Sequence, residues 1–137
     1  MCEMFNPSKD LFKRFNKSLK NKRAAGQVFE DIACNYLQSK GLRLKKRNVA
    51  FSTGEIDIIM TDQDTLVFVE VRYRKQKEFG GAAASVDWYK QKKLIKTAQL
   101  YLQRQYGNTP PQCRFDVVAI QGSEDQFDIN WIKNAIA

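Results

Sequence analysis

Two short segments of the chain place carboxylates where strand-like composition would otherwise call only for apolar residues. Gly54–Met60 and Thr65–Arg74 are rich in β-branched and aromatic residues, yet the first contains Asp57 and the second contains Glu70. Side chains alternate between the two faces of a strand, so Arg72 shares a face with Glu70. Two carboxylates with a cation close by are residue types suited to a divalent-metal site.

The link between these segments, residues 62–64 (Asp-Gln-Asp), is typical of a hairpin turn. Opposed residues on antiparallel strands point to the same face, so any register that pairs odd with even positions brings Asp57 and Glu70 together. The spacing therefore predicts a hairpin in which both carboxylates contribute to one metal site.

Glu70 also has a simpler interpretation, because strand carboxylates are most often solvent-facing partners of Lys or Arg. In that case Glu70 and Arg72 form a surface ion pair. Leu66 and Phe68, however, make the Glu70 face apolar, and alternate valines make the opposite face apolar as well. This pattern is typical of a central strand covered on both sides, where a buried carboxylate needs a partner such as a metal ion.

Composition excludes several kinds of active site. The 137 residues contain no His, which rules out a self-contained Ser-His or Cys-His nucleophile pair, an HNH-type centre and a His-ligated zinc. Three scattered cysteines cannot form a four-thiolate zinc cluster, and we expect Cys34 and Cys113 to be packing residues. The odd cysteine count, with no signal peptide and no apolar run of about 18 residues, predicts a reduced, soluble, cytoplasmic protein without a membrane partner.

Charge is unevenly distributed along the chain. The net charge is +8, but residues 51–71 hold five acids and no Lys or Arg, whereas residues 1–50 carry a net +8 and residues 72–96 a net +6. Basic segments thus frame the acidic hairpin, as expected if the acids hold metal while their surroundings attract the phosphates of nucleic acid. A solvated basic surface would have the same composition. The cations expected to contact nucleic acid are Arg74, Lys75, Lys77, Lys92 and Lys93.

A first helix is predicted over residues 24–40 by an apolar stripe with helical spacing, and Gly41 ends it. Glu30 lies at the edge of this stripe, so it is either a helix-surface acid or a residue that borders the core. Residues 1–22 precede the helix as a basic arm that is expected to be mobile, and the domain is expected to span residues 23–137.

A second helix is predicted over residues 85–105. Gln91 projects from the middle of its apolar face and Lys90 from the margin of that face. A polar residue on a buried face is either a satisfied core amide or a site residue. Further strands are predicted over residues 113–120 and 127–131.

The predicted order is helix, three strands, helix and strand, with a carboxylate on the first helix and Glu70-Val71-Arg72 on the third strand. This order resembles the restriction-endonuclease-like superfamily of PD-(D/E)xK nucleases, and the spacing is similar to that of archaeal Holliday-junction resolvases. More closely, the chain resembles the YraN-like family of bacterial proteins, an uncharacterised family predicted to be nuclease-related. That likeness covers about residues 24–136 and is carried by G26xxxE30xxAxxYLxxxG41, RN48, GEID57, LVFVEV71, V86DxxK90 and RFD116VVAI.

The resemblance implies an α/β fold with a restriction-endonuclease-like core, in which a mixed sheet contains the antiparallel hairpin and is flanked by helices. It also implies that Asp57 and Glu70 bind Mg²⁺ or Mn²⁺, with the carbonyl of Val71 as a third oxygen ligand. The catalytic residues that it implies are Glu30, Asp57, Glu70, Arg72, Lys90 and Gln91. Hard divalent cations prefer oxygen ligands, which agrees with this set.

Individual roles also follow from the resemblance. Glu30 would act through water or as a further ligand, and Gln91 or Lys90 would orient the site from the second helix. Arg72 is a departure, since both the nuclease motif and the YraN-like pattern usually have Lys there. Guanidinium stays charged, so Arg72 could stabilise a transition state but could not serve as a base. Lys90 or Lys75 could replace the missing Lys in space.

We therefore expect a metal-dependent phosphodiesterase that acts on DNA rather than RNA, and on structured or branched DNA in particular. One alternative is a nuclease-derived module that binds nucleic acid without cutting it. Another is an interaction protein whose basic faces bind acidic partners. Divalent-metal affinity separates the first from the others, and salt-dependent nucleic-acid binding separates the second from the third. The resolvase resemblance further implies a homodimer.

Overall fold

The computed structural model describes residues 2–5, 22–75, 86–123 and 126–136, and these residues form two helices and six strands. The predicted order of helix, three strands, helix and strand is confirmed, as is the last strand predicted over residues 127–131, and a strand at residues 2–5 was not predicted. Most of the basic arm and Lys77 lie outside the described residues. In chain order the elements are β1 (Cys2–Phe5), α1 (Lys22–Ser39), β2 (Arg43–Phe51), β3 (Gly54–Asp62), β4 (Thr65–Arg74), α2 (Trp88–Tyr106), β5 (Cys113–Ser123) and β6 (Gln126–Ile132).

All six described strands belong to one mixed sheet. Their order is β1-β6-β5-β4-β3-β2, so β4 lies inside the sheet between β3 and β5. The β4–β5 pair is parallel, with α2 in the crossover between them, and the other pairs are antiparallel. The mixed α/β architecture expected for a restriction-endonuclease-like core is therefore present.

The predicted β3–β4 hairpin is confirmed together with its register. Asp62 pairs with Thr65 across the two-residue turn, and the ladder continues to Ile58 opposite Val69. Gln63 adopts a left-handed φ of 55°, as tight hairpin turns require. Odd positions on one strand thus face even positions on the other, as predicted.

Helices cover both faces of the sheet. The apolar stripe of α1, which includes Ile32 and Leu37, packs on the face that carries Val67 and Val69. On the other face, Ala98 and Tyr101 of α2 pack over residues such as Phe68. As a result every residue of β4 from position 66 to position 70 is buried, which confirms the interpretation of β4 as a covered central strand.

Helix boundaries agree with the local signals. Gly41 follows α1 with φ 100°, a conformation that favours glycine, so it ends the helix as predicted. The second helix begins at Trp88 rather than at residue 85, because Asp87 acts as its N-cap and accepts a hydrogen bond from the Lys90 backbone N–H at 2.9 Å.

Cys34 is buried as predicted, but Cys113 is exposed at the start of β5, so its assignment as a packing residue was wrong.

Asp116 is a fully buried carboxylate with a structural role. It accepts hydrogen bonds from Arg114 Nε at 3.0 and 3.2 Å, from Trp131 Nε1 at 3.0 Å and from the Asn134 backbone N–H at 2.9 Å. Arg114 also reaches Asp62 at 3.0 Å. Because its oxygens are satisfied by these donors, Asp116 ties β5 to β6 and to the residues after β6.

Candidate active site

Asp57 and Glu70 meet at the end of the β3–β4 hairpin that lies opposite its turn. They are the next residues in register after Ile58 and Val69. The Asp57 carboxylate accepts a hydrogen bond from the Val71 backbone N–H at 2.9 Å, so a side chain holds the strands together where backbone pairing ends. Glu70 is only 4% exposed.

Two cations contact the buried Glu70 carboxylate. Lys90 Nζ, from the first turn of α2, lies 3.4 Å from Glu70 Oε1, and Arg72 Nη1 lies 3.5 Å from the same oxygen. The interpretation of Glu70 and Arg72 as a plain surface pair is therefore wrong, because one partner is buried and a second cation joins from another element. The charge of Glu70 is balanced by these cations, which offset the free-energy cost of removing its carboxylate from water.

Burial changes the acidity of both carboxylates. It raises the pKa of Glu70 to about 7, and the neighbouring Asp57 adds to this rise while Lys90 and Arg72 oppose it. Burial likewise raises the pKa of Asp57, against the hydrogen bond from Val71 that lowers it. Two adjacent buried acids resist ionising together, and a bound cation would favour their ionised forms.

The oxygen donors at this point fit a hard divalent cation. Mg²⁺ is commonly held by one or two carboxylates, with waters and substrate phosphates as its other ligands. Asp57 and Glu70 supply two carboxylates, and no group of three or more His, Cys, Asp or Glu suited to a metal occurs among the described residues. The carbonyl of a strand residue points to the same side as its N–H, so the Val71 carbonyl faces the side on which Asp57 lies.

Glu30 joins the site from α1 and is not a solvent-facing helix acid, since its side chain is 14% exposed. Burial and the nearby Asp57 raise its pKa to about 7, while Arg47, whose Nη2 lies 3.6 Å from Glu30 Oε1, lowers it. Arg47 also pairs with Asp31. The edge position predicted for Glu30 on the helix therefore corresponds to a half-buried place where it interacts electrostatically with Asp57.

Three residues near Glu30 were not predicted as site residues. Asn48 has a left-handed φ of 53°, and its amide nitrogen, assigned toward the surrounding acceptors, donates to Glu30 Oε1 at 2.9 Å and to Glu55 Oε1 at 3.0 Å. Arg47 is the third. The available signals were the Arg-Asn pair at the end of the basic run in β2 and the period-two spacing of Glu55 and Asp57.

A cavity of about 250 Å³ opens over the carboxylates between the hairpin and α2. Its lining joins predicted residues from three elements with residues that were not predicted. Gly54 allows this close approach, because its φ is 149° and a Cβ at this position would lie 3.3 Å from Thr97 Oγ1 of α2. The lining residues are Gly54, Glu55, Asp57, Glu70, Lys90, Lys93 and Leu94.

The lining of this cavity does not include four other predicted residues, namely Gln91, Arg74, Lys75 and Lys92. The Gln91 amide nitrogen donates to the Val86 carbonyl at 3.0 Å, which ties the start of α2 to the preceding residue pair, while Lys90 makes the direct contact with Glu70. Arg74 and Lys75 are exposed at the end of β4, and Lys92 is exposed on α2. In the part of the chain that the structure describes, no helix is both long and apolar enough to cross a membrane.

Comparison with known proteins places these residues in a family context. The family model described as "Uncharacterised protein family UPF0102" matches residues 29–120, a range that contains Glu30, Asp57, Glu70 and Lys90. A UPF0102 protein of Janthinobacterium sp. (strain Marseille) is 54% identical over 115 residues, which are 84% of this chain and 89% of that protein. A UPF0102 protein of Stutzerimonas stutzeri (strain A1501) is 50% identical over 113 residues, which are 82% of this chain and 94% of that protein. The chain thus belongs to the uncharacterised UPF0102 family, the YraN-like family that its motifs indicated.

Proposed function

We propose that this protein is a metal-dependent phosphodiesterase that cleaves DNA, with structured or branched DNA as its preferred substrate. The observation that carries the proposal is the buried Asp57–Glu70 pair at the floor of a cavity that also presents Lys90. Buried acids with raised pKa values in a cleft are typical of functional sites. We further propose a cytoplasmic location, where DNA is accessible.

Asp57 and Glu70 would hold Mg²⁺ or Mn²⁺, and the Val71 carbonyl faces the side on which it could contribute. When bound, such an ion lowers the pKa of water and neutralises negative charge on phosphate. The protein's own cations act on the phosphate as well. Lys90 contacts Glu70 when no substrate is bound, and it can bind a phosphate oxygen at the cavity mouth when substrate is present.

Glu30 is suited to accept a proton from the attacking water. Its pKa of about 7 lies close to neutral pH, where a general base combines availability with proton affinity. Arg47 and the Asn48 amide hold its carboxylate in place through contacts at 3.6 and 2.9 Å. With no His in the chain, a carboxylate is the natural candidate for this role.

A second candidate function is a nuclease-derived module that binds nucleic acid without cutting it. Arg72 favours it, because a guanidinium occupies the position where Lys is usual in the motif and cannot give up its proton. Arg72 keeps the positive charge that phosphate binding requires, so binding would persist if catalysis were lost.

Cleavage assays and calorimetry test the proposal. Wild type should cut linear, flapped or four-way DNA with Mg²⁺ or Mn²⁺, whereas Asp57→Asn and Glu70→Gln should reduce cleavage to background and Asp57→Asn should lose metal binding. Asp64→Asn, an exposed acid in the turn at the far end of the same hairpin, is the matched control and should behave as wild type. Unchanged metal binding in both site variants would refute the metal site. Absence of cleavage in wild type and in Arg72→Lys on every substrate would favour the binding module.

A further inference from the structure

Two large aromatic side chains are exposed at the start of α2. Trp88 is 58% and Tyr89 is 72% exposed, whereas the buried residues of the same helix begin at Leu94. Their ring centroids lie 5.1 Å apart with the ring planes at 78°, so the two rings form one contiguous surface. Neither ring is needed to fill the core, which indicates a role at the surface.

This aromatic surface adjoins the cavity mouth. Residues four apart on a helix lie one above the other, so Tyr89 is on the same side of α2 as Lys93, about 6 Å along the axis. Lys93 and Lys90 both line the cavity that contains Asp57 and Glu70. Tyr89 therefore lies beside the cavity, and Trp88 extends the surface away from it.

The charge of α2 indicates which kind of partner fits. The helix holds five Lys or Arg residues and no Asp or Glu. Lys92 Nζ lies over the Trp88 ring, 3.9 Å from its centre, so a cation covers one face of this ring and forms part of the aromatic surface. An apolar protein surface would match the rings but not the cations. Nucleic acid with unpaired bases matches both, because it offers flat rings for stacking and phosphates for the lysines.

We propose that Trp88 and Tyr89 form a stacking platform for unpaired bases beside the cavity. The substrate class is then single-stranded or locally unpaired nucleic acid, such as a flap or the branch point of a junction. This inference rests on the proposed function of the cavity and defines what it accepts: Tyr89 stacks on a base next to the phosphate held by Lys90 and Lys93. Trp88 stacks, through the face that Lys92 does not cover, on a second base that is turned away from the first, because the two ring planes are nearly perpendicular. A continuous duplex cannot use the platform, since its bases are already stacked on each other.

Binding measurements on the full chain test this platform without relying on cleavage. Two fluorescein-labelled ligands are titrated in EDTA and followed by anisotropy: a single strand of about 20 thymidines (dT20) and a blunt duplex of about 20 base pairs. This length exceeds one binding site. Trp88→Ala and Tyr89→Ala should each weaken dT20 binding about tenfold, which is within the range for loss of one base–aromatic stack. Duplex binding should change less than about twofold. Leu100→Ala, a partly exposed apolar residue on the same helix, is the matched control and should change neither.

Two further readouts separate stacking from other effects. Trp88→Phe should restore most of the dT20 affinity, because a phenyl ring can still stack. Of the two tryptophans, Trp131 is held by Asp116, so base stacking should quench the exposed Trp88, and the quenching should disappear in Trp88→Ala. Thermal melting of each variant shows whether it remains folded.

Three results would overturn the platform: equal losses on dT20 and duplex, no loss in either alanine variant, or poly-glutamate binding that is as tight as dT20 binding and falls equally in the variants. The last would point to an acidic protein partner. Failure of the platform and failure of the proposed function give different results. Platform-dependent dT20 binding without any cleavage supports the platform and opposes the nuclease proposal, whereas cleavage that does not depend on Trp88 or Tyr89 does the reverse.

Discussion

At the scale of single residues, the site combines acids that are costly to ionise with cations from separate elements. Glu70 is buried, is next to Asp57 and has contacts with Lys90 and Arg72. Removing one member of such a cluster leaves the others with an unbalanced charge. Substitutions here should therefore change stability and pH dependence as well as any reaction.

Glu70→Gln should remove a pH dependence of stability. The folded protein holds the Glu70 proton up to a pKa of about 7, whereas an unfolded glutamate releases it near 4.5. Between these values the folded state binds more protons, so its free energy of unfolding falls as pH rises. In EDTA, urea unfolding of wild type should lose roughly 1–3 kcal/mol more than the variant between pH 5 and pH 8. A wild-type profile parallel to that of Glu70→Gln would contradict the raised pKa, and Asp64→Asn serves as the exposed-acid control.

Arg72→Lys should alter rate more than affinity. Both side chains carry one positive charge beside Glu70, but only Lys can lose its proton when desolvated and assist an attacking water. We expect cleavage to increase about tenfold or more with DNA affinity nearly unchanged, and single-turnover kinetics with parallel binding assays would measure both. Arg74→Lys, two residues along the same strand and exposed, is the matched control. If the rate does not change, Arg72 only positions and neutralises phosphate.

At the scale of elements, β4 and α2 determine where the reactive groups lie. The β4–α2–β5 crossover is parallel, so α2 returns across the sheet and its first turn comes to the end of β4 that carries Glu70. Asp87 caps that turn, and Gly54 lets α2 approach β3 closely. On the other face, α1 supplies Glu30.

Asp116 should be essential for stability but not for metal binding. Asp116→Asn replaces one buried acceptor oxygen by an amide that faces donors from Arg114, Trp131 and Asn134. We expect a loss of about 3 kcal/mol in chemical unfolding, because removing one partner of a buried charged network leaves the other unpaired. Asp62→Asn, which removes the more exposed carboxylate at Arg114, should cost at most about 1 kcal/mol. Equal effects of the two substitutions would contradict this assignment.

At the scale of the whole molecule, charge is separated by region. The net charge is +8, yet three carboxylates, those of Glu55, Asp57 and Glu70, gather at the end of the β3–β4 hairpin opposite its turn, with basic residues on α2 and at the end of β4 around them. Such an arrangement concentrates a polyanion near the acids while leaving the acids available to a cation.

DNA binding should depend steeply on salt. Each phosphate neutralised contributes a slope of about −0.9 in a plot of log affinity against log salt concentration for duplex DNA. Lys90→Ala and Arg74→Ala should each reduce the magnitude of that slope by about 0.9, the contribution of one phosphate. Anisotropy on a branched duplex in EDTA would measure the slope. Lys40→Ala is the control, since Lys40 lies beyond the end of α1, about 15 Å along the helix direction from Glu30. A wild-type slope near zero would favour a protein that binds acidic partners instead.

The sequence by itself determined the element order, the hairpin and the common face of Asp57 and Glu70. These features depend on local rules, because side chains alternate with a period of two along a strand and a two-residue turn sets the register. Burial of Glu70 was also predictable, since both faces of β4 are apolar in sequence. The likeness of its motifs to a known family was readable without coordinates.

Only the tertiary structure decided which contacts complete the site. Lys90 is twenty positions from Glu70 along the chain, and Asn48 links Glu30 to Glu55 across two elements. Contacts of this kind depend on how helices dock on the sheet, which periodicity within one segment does not specify. The same docking decided that Gln91 binds the Val86 carbonyl while Lys90 reaches the carboxylate, and that Trp88 and Tyr89 remain exposed beside the cavity. Local spacing identifies the face on which a residue lies, and long-range packing identifies the residue that it meets there.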